Sequence, residues 1–327
     1  MDYGHRVTEE LLAELEAEIA AEYTAAGKEV AEAADEFFRE FELEDAKYAD
    51  AVDKGEMSSK AYQRWRRGKL ARGEGYRQMR DDIARRIKDA AQIAAAYVND
   101  KVPLVYALNR SYAAYAMERV GANLRVGVSF SIYSEDVVRR LIVEHPELLP
   151  NCPPKRAVDI PREMRWLREK ISSQVLHGIL GGEPIPKIAS RMVDVVGMDK
   201  VAAVRSARTA VTSAENGGRM DTYDAAAKMG IAIQKEWMAT HDTRTRESHG
   251  RIDGERVDKD AAFSNGCRFP GDPDGAPEEV YNCRCTMVAY LPDYPDVKDR
   301  VTYLEWLEAH NAKGGGKRNG KKKGGGK

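Results

Sequence analysis

The residues best equipped for chemistry sit close together near the C-terminal end of the chain. His249, Cys267, Cys283 and Cys285 share one segment, whereas the fourth cysteine, Cys152, stands apart beside Pro153 and Pro154. Three thiolates and an imidazole are a common tetrahedral donor set for Zn²⁺. The Cys283-Arg284-Cys285 spacing lets both sulfurs reach one ion only through a tight turn. The same residues admit two other readings. Cys283 as nucleophile, His249 as base and Asp242 as orienting carboxylate would make a Cys/His-dependent hydrolase or a toxin-like effector. Two thiols one residue apart argue against that and for a structural or metal role. Alternatively the cysteines are small buried hydrophobes and His249 caps a turn.

Two polar groups accompany this cluster. In Asp242-Thr243-Arg244-Thr245-Arg246 the Asp and Thr side chains can satisfy backbone donors at a turn and a helix start, while Arg244 and Arg246 can reach a phosphate. Upstream, Arg208, Thr209, Glu215 and Asn216 lie on one long helix. Arg208 and Glu215 are about two turns apart and so near one face. They can pair with the segment that follows or remain ordinary surface charges.

A third kind of chemistry is electrostatic. Residues 311–327 carry Lys313, Lys317, Arg318, Lys321, Lys322, Lys323 and Lys327 with no acid, so a net charge of −1 hides an acidic body with a basic end. Gly315 to Lys322 falls short of a phosphate-binding loop: no Ser or Thr follows the lysine and no strand precedes it. Glycine keeps such a tail flexible. Seven cations engaging duplex DNA would give a log–log salt slope of up to roughly −6. The tail has no aromatic residue, so base stacking and sequence preference are not expected. It can equally serve as a solubilising end.

The elements that must position these groups follow from periodicity. From Thr8 to Asn99 the composition is that of helix, with apolar residues at helical spacing: Leu11, Leu12, Leu15, Ile19, Val30, Ala33, Phe37, Phe38 and Phe41, then Ile83, Ile87, Ala90, Ile93 and Tyr97. Pro103 separates this from a third helix, Leu104–Ala122. Arg125–Tyr133 alternates as a strand, and a short helix follows from Glu135 to just before Pro146. Pro146–Pro161, with five prolines, is the expected boundary. Helices follow to Leu180, from Ile185 to Val196 and from Lys200 to Met229, with Gly230 as the stop. Beyond it, Ile231–Thr240 alternates as a strand, and further short elements are expected at Glu255–Val257, Ala262–Phe263 and Tyr281–Leu291. A last helix covers Tyr303–His310.

The fold class expected is therefore α+β and predominantly α-helical: long N-terminal helices, a helical segment, then a small loop-rich α+β module with a meagre core. Such a module often needs a staple, and where thiols stay reduced that staple is usually a metal. No apolar run spans a bilayer and Met1–Glu10 has no secretory character, which points to the cytoplasm or something assembled there and to no membrane partner.

In order along the chain, Gly181-Gly182-Glu183-Pro184-Ile185-Pro186, Ala207-Arg208-Thr209 through Glu215-Asn216, Lys235-Glu236-Trp237 through Asp242-Thr243-Arg244-Thr245, His249, Ile252-Asp253-Gly254, Phe263, Pro270-Gly271-Asp272-Pro273 and Asn282-Cys283-Arg284-Cys285 resemble the phage Mu F-like minor head protein family, the head morphogenesis domain. The resemblance covers Ile171 to Leu291. The chain departs from it where many members carry a CxxC pair, here Arg246 and His249, and where many carry a histidine before the final cysteines, here Val280 and Tyr281. What the resemblance implies is a bacteriophage minor capsid protein of the virion, without enzymatic activity, acting in head morphogenesis and capsid assembly. Its implied partners are the portal protein, major capsid or scaffold proteins, and phage DNA through the tail. Arg208, Thr209, Glu215, Trp237, Asp242, Thr245, Gly254, Asn282 and Arg284 would be its structural motif. The divisions expected are an N-terminal α-helical region over 1–150, the head morphogenesis domain over 151–310 and a disordered Lys/Gly-rich DNA-binding tail over 311–327.

Overall fold

The computed structural model describes residues 2–123, 128–153, 164–181, 183–292 and 301–315. Its helices in chain order are α1 (Tyr3–Asp53), α2 (Ser59–Arg72), α3 (Glu74–Asn123), α4 (Glu135–Glu144), α5 (Met164–Leu180) and α6 (Ile185–Lys228), with a 3₁₀ turn at Pro146–Leu148. Then come β1 (Gln234–Met238), α7 (Glu247–Arg251), β2 (Arg256–Asp258), α8 (Pro277–Val280), β3 (Thr286–Tyr290) and α9 (Tyr303–Gly315). The architecture is α+β and predominantly helical. The chain forms two compact units: a helical one from Leu12–Asp100 and Lys155–Ala207, and a mixed one from Met1–Leu11, Lys101–Pro154 and Arg208–Lys327.

The helical unit is built on apolar stripes. Leu12, Leu15, Ile19, Tyr23, Ala26, Val30, Ala34, Phe37 and Phe41 recur at steps of three and four along α1 and are buried. Met79, Ile83, Ile87, Ala90, Ala94 and Val98 do the same on α3. Arg86 of α3 donates to Glu22 at 2.9 Å and Glu29 at 2.6 Å on α1, and the Phe37 and Tyr76 rings lie 6.2 Å apart. The helices therefore run antiparallel. Trp65 of α2 stacks on Phe41, with centroids 5.8 Å apart and planes 6° from parallel. Asp199 of α6 accepts from the Tyr23 hydroxyl at 2.6 Å.

The mixed unit holds a three-stranded antiparallel sheet in the order β2-β1-β3, with Trp237 opposite Met287 and Lys235 opposite Val257. Gly230, at φ +86°, ends α6 in the left-handed conformation that glycine adopts without strain. Gly254, at φ +77°, turns the chain so that its N–H donates to the Trp237 carbonyl at 2.8 Å. One apolar cluster joins Ala113, Met117, Met220, Tyr223, Ile233, Phe269 and Met287; a second gathers Trp237, Ile252, Phe263, Val280 and three cysteines.

Three sequence expectations give way to packing. Pro103 lies inside α3, which runs unbroken to Asn123. Proline in a helix interior costs about 3 kcal/mol. Here the apolar residues around it, Val102, Val105 and Tyr106, are buried and hold the helix through the lost backbone bond. Likewise α6 continues through Gly197, because Ile188, Met192, Val195 and Val196 keep the buried stripe in phase and a helical glycine costs only about 1 kcal/mol. Third, the strand expected over Arg125–Tyr133 is not formed in its described part, 128–133. Phe130 is buried there and its N–H donates to the Glu118 carboxylate at 2.9 Å, so a side chain takes the place of a ladder partner. The remainder of that stretch, 124–127, and residues 154–161 of the proline-rich boundary lie outside the described residues.

Candidate functional site

The site begins on one face of α6. Arg208, Thr212, Glu215, Asn216 and Arg219 fall at helical spacing on a stretch otherwise rich in alanine, and all turn toward the segment 282–287. Arg208 donates to the Asn282 side-chain oxygen at 3.1 Å, and the Asn282 N–H donates to the Thr209 hydroxyl at 2.9 Å. Asn282 holds φ +62°, a left-handed conformation that asparagine tolerates better than most residues. The Thr212 hydroxyl donates to the Cys283 carbonyl at 2.6 Å. The Asn216 amide donates to the Cys285 carbonyl at 3.2 Å and accepts from the Met287 N–H at 3.0 Å. Arg219 donates to the Met287 carbonyl at 2.9 Å. The outer edge of β3, which would otherwise expose unpaired backbone groups, is thus occupied by side chains of a helix.

Arg219 is wholly buried, and its charge is met by two carboxylates. It donates to both Asp2 oxygens at 2.7 and 2.9 Å, to Asn109 at 3.0 Å and to Glu215 at 3.3 Å. Burial opposes ionisation of Asp2, yet the Arg219 guanidinium outweighs it and holds that carboxyl below its ordinary value. Glu215 also accepts from the Thr286 hydroxyl at 2.7 Å and lies 2.9 Å from His5 Nδ1. Isolated charges buried like this would be very costly; paired and hydrogen-bonded as they are, they fix one arrangement.

The two thiols displayed by this clamped segment meet His249 of α7. His249 Nδ1 lies 3.6 Å from Cys283 Sγ and 3.4 Å from Cys285 Sγ, and the three donor atoms fall within 4.8 Å of one another. Trp237 packs edge-on against the imidazole at 5.1 Å. Glu279 Oε2 is 2.9 Å from His249 Nε2 but without the alignment of a hydrogen bond. The thiol pair divides one charge: hydrogen bonds from Cys283 and His249 pull Cys285 down against its burial, while Cys283 is pushed up. Two sulfurs and an imidazole nitrogen at these separations fit three corners of a zinc tetrahedron, whose bonds of about 2.0–2.3 Å place donors roughly 3.5 Å apart. Cys267 is buried in the same apolar cluster, but its thiol is not part of the three-donor group; burial pushes it up to about 11.

The loop before α7 braces the site. Asp242 accepts from the Arg284 guanidinium, which holds its carboxyl down at about 2, and from the Arg244 N–H at 2.9 Å. The Thr245 hydroxyl donates to the Thr240 carbonyl, and the Thr240 hydroxyl donates to the Arg284 carbonyl at 2.6 Å. Thus Arg208, Thr209, Glu215, Trp237, Asp242, Thr245, Gly254, Asn282 and Arg284 are brought into one connected region of the mixed unit. Sequence reading missed Thr212 and Arg219, although both continue the polar stripe begun by Arg208. It also missed Asp2, His5 and Asn109, for which no local pattern gives a signal. Of the tail cations, Lys313 falls within α9 and the other six lie outside the described residues.

Comparison with known proteins gives three relatives and a family. Residues 169–288 match the family described as Phage Mu protein F like protein, which bears out the resemblance drawn from the motifs. Minor head protein GP7 of Bacillus phage SPP1 is 28% identical over 250 residues, 71% of this chain and 78% of that protein. The NAD(+)--arginine ADP-ribosyltransferase EFV of Enterococcus faecalis is 30% identical over 124 residues, 37% of this chain and 26% of that protein. The uncharacterized protein YqbB of Bacillus subtilis is 26% identical over 126 residues, 36% of this chain and 40% of that protein. No solved structure matches the chain at comparable stringency.

Proposed function

We propose that this chain is a minor head protein of a tailed bacteriophage, a structural component of the virion that acts in head assembly at the portal or inner capsid. The observation that carries the reading is the clamp: six polar side chains of α6 are committed to the backbone and side chains of 282–287, an investment in shape. The match over 169–288 and the likeness to a minor head protein along 78% of its length support it. Among the described residues no helix is long and apolar enough to cross a membrane.

In this reading His249, Cys283 and Cys285 hold a Zn²⁺ ion that staples the small module, and Cys267 contributes to its apolar wall. The basic tail, Lys313 to Lys327, touches packaged DNA, while the portal and the major capsid or scaffold proteins are the protein partners. The test is to purify heads assembled with and without the chain. Co-sedimentation of the chain with heads, and its recovery with the portal after mild dissociation, are expected. Particles that assemble, fill and infect normally without it would refute the proposal.

A second reading has one observation in its favour, the approach of His249 to both thiols. It makes the site that of a Cys/His-dependent hydrolase or toxin-like effector. Cys283→Ala separates the two: loss of bound zinc with loss of stability follows from the structural reading, and loss of turnover in an intact fold from the catalytic one.

A further inference from the structure

Helix α2 carries six Lys and Arg residues and no Asp or Glu in its 14 positions. Its cations sort into two sets. Arg66 and Lys69 turn toward α1, where Asp45 lies 3.2 Å from the first and Glu44 2.8 Å from the second. The aromatic residues turn the same way: the Tyr62 hydroxyl donates to Asp45 at 2.8 Å, and Trp65 stacks on Phe41 and lies 4.2 Å from the Tyr48 ring.

Lys60, Arg64 and Arg67 form the other set. Steps of four and three place them on one face, opposite the first set and along about 10 Å of helix axis. All three are exposed, and among the described residues no carboxylate forms an ion pair with any of them. The Arg67 Nε–H donates only to the neutral Gln63 carbonyl, at 3.2 Å on the same helix. Exposed cations of other helices, by contrast, meet an acid one turn away: Arg6 with Glu10, Lys54 with Asp50, Arg85 with Asp82 and Arg165 with Glu169. Like charges three and four positions apart weaken a helix, so this face gains from an anion supplied by another molecule.

We propose that the face of α2 bearing Lys60, Arg64 and Arg67 binds the phosphate backbone of duplex DNA. Two observations select that partner. No large apolar side chain of α2 is exposed, so the face lacks the buried anchor on which protein interfaces depend, whereas cations alone suffice for a phosphate backbone. Tyr62 and Trp65 are committed to α1, so no ring is left to stack on unpaired bases, which a single strand would require. The proposal deepens the DNA contact of the proposed function by locating it on the helical unit, and it does not depend on the tail.

The test measures binding of a 20-base-pair duplex by the full chain against salt concentration. Three variants are compared with wild type: Lys60→Gln/Arg64→Gln/Arg67→Gln; Arg64→Lys/Arg67→Lys; and a charge-matched control, Lys28→Gln/Arg39→Gln/Lys47→Gln, whose three positions are exposed on α1. Every protein keeps the tail, so differences isolate the helix. The first variant is expected to bind about tenfold more weakly at low salt, with a log–log salt slope shallower by about two to three. Its helical circular dichroism should match wild type. The lysine variant should keep the wild-type slope, because the contact is ionic. Equal losses in the first variant and the control would reduce the effect to net charge and overturn the proposal. Unchanged DNA binding by the first variant would overturn it too and leave the tail as the DNA contact; if that variant also failed to co-sediment with heads, the face would belong to an acidic protein. Co-sedimentation of wild type with heads is scored separately, so the minor head protein reading stands or falls on its own result.

Discussion

Helix α6 is used in two ways along its length, and the contrast separates two strategies for holding a fold. Up to Ala207 it contributes Ile188, Met192, Val195 and Val196 to an apolar helical unit. From Arg208 onward its inward residues include Thr212, Glu215, Asn216 and Arg219, and their partners are strand backbone and buried carboxylates. Apolar packing is tolerant, since any side chain of similar volume retains most of the energy. A buried polar network is unforgiving, because each missing partner leaves a desolvated group unsatisfied. The first strategy suits a spacer and the second a module whose shape must be unique.

The largest effect should come from breaking the polar side of this contrast. Arg219→Ala strands Asp2 and Glu215 in the interior and is expected to destabilise the mixed unit by about 3–5 kcal/mol, read by guanidinium unfolding monitored through Trp237. A loss below about 1 kcal/mol would mean the network contributes little. On the apolar side, Leu15→Ala in α1 should cost about 2–4 kcal/mol, and Leu15→Met less than about 1.5 kcal/mol. That graded response, measured by helical circular dichroism during unfolding, is what tolerance means. If Leu15→Met proves as damaging as Leu15→Ala, the distinction fails.

Titration sharpens the comparison further. Burial raises the Asp221 carboxyl from 3.8 to about 7, assisted by the nearby Asp224 and opposed by a hydrogen bond from Asn151. A folded value above the unfolded one means that the folded state holds the proton more tightly. Its stabilising contribution is complete below 3.8 and is lost as pH rises through about 7. Wild type should therefore lose on the order of a few kcal/mol relative to Asp221→Asn between pH 4 and 8, and parallel stability curves for the two would contradict this. The smallest effect belongs to a single hydroxyl: Thr212→Val removes the bond to the Cys283 carbonyl at a cost of about 1 kcal/mol. If the proposed Zn²⁺ is bound, the same variant should loosen its retention in a chelator competition.

Much of the apolar architecture is legible in the chain because periodicity is local. Leu12, Leu15 and Ile19 announce their helix, Glu135 and Pro146 bracket α4, and the alternation through Lys235 and Trp237 announces β1. Pro103 and Gly197 mislead for the converse reason: each is a local signal of interruption, overruled by burial on either side that no short window reveals. At the candidate site the residue types are readable and the grouping is only partly so. His249, Cys283 and Cys285 converge, and Cys267, equally eligible by type, does not join their group. Least legible are Asp2, His5 and Asn109. Their roles come from partners separated by more than a hundred positions, which neither composition nor spacing records.

The bond between Asp2 and Arg219 joins residues 217 positions apart, and the carbonyl that completes the arginine's shell belongs to Met287. A ribosome delivering this chain therefore exposes the aspartate long before its partners exist. The stretch Leu12–Asp100 can begin pairing its helices during synthesis, but the shell around Arg219 waits until Met287 has emerged. Assembly order is thereby written into connectivity: a translation product cut short of Met287 offers the paired helices without the closed arginine shell.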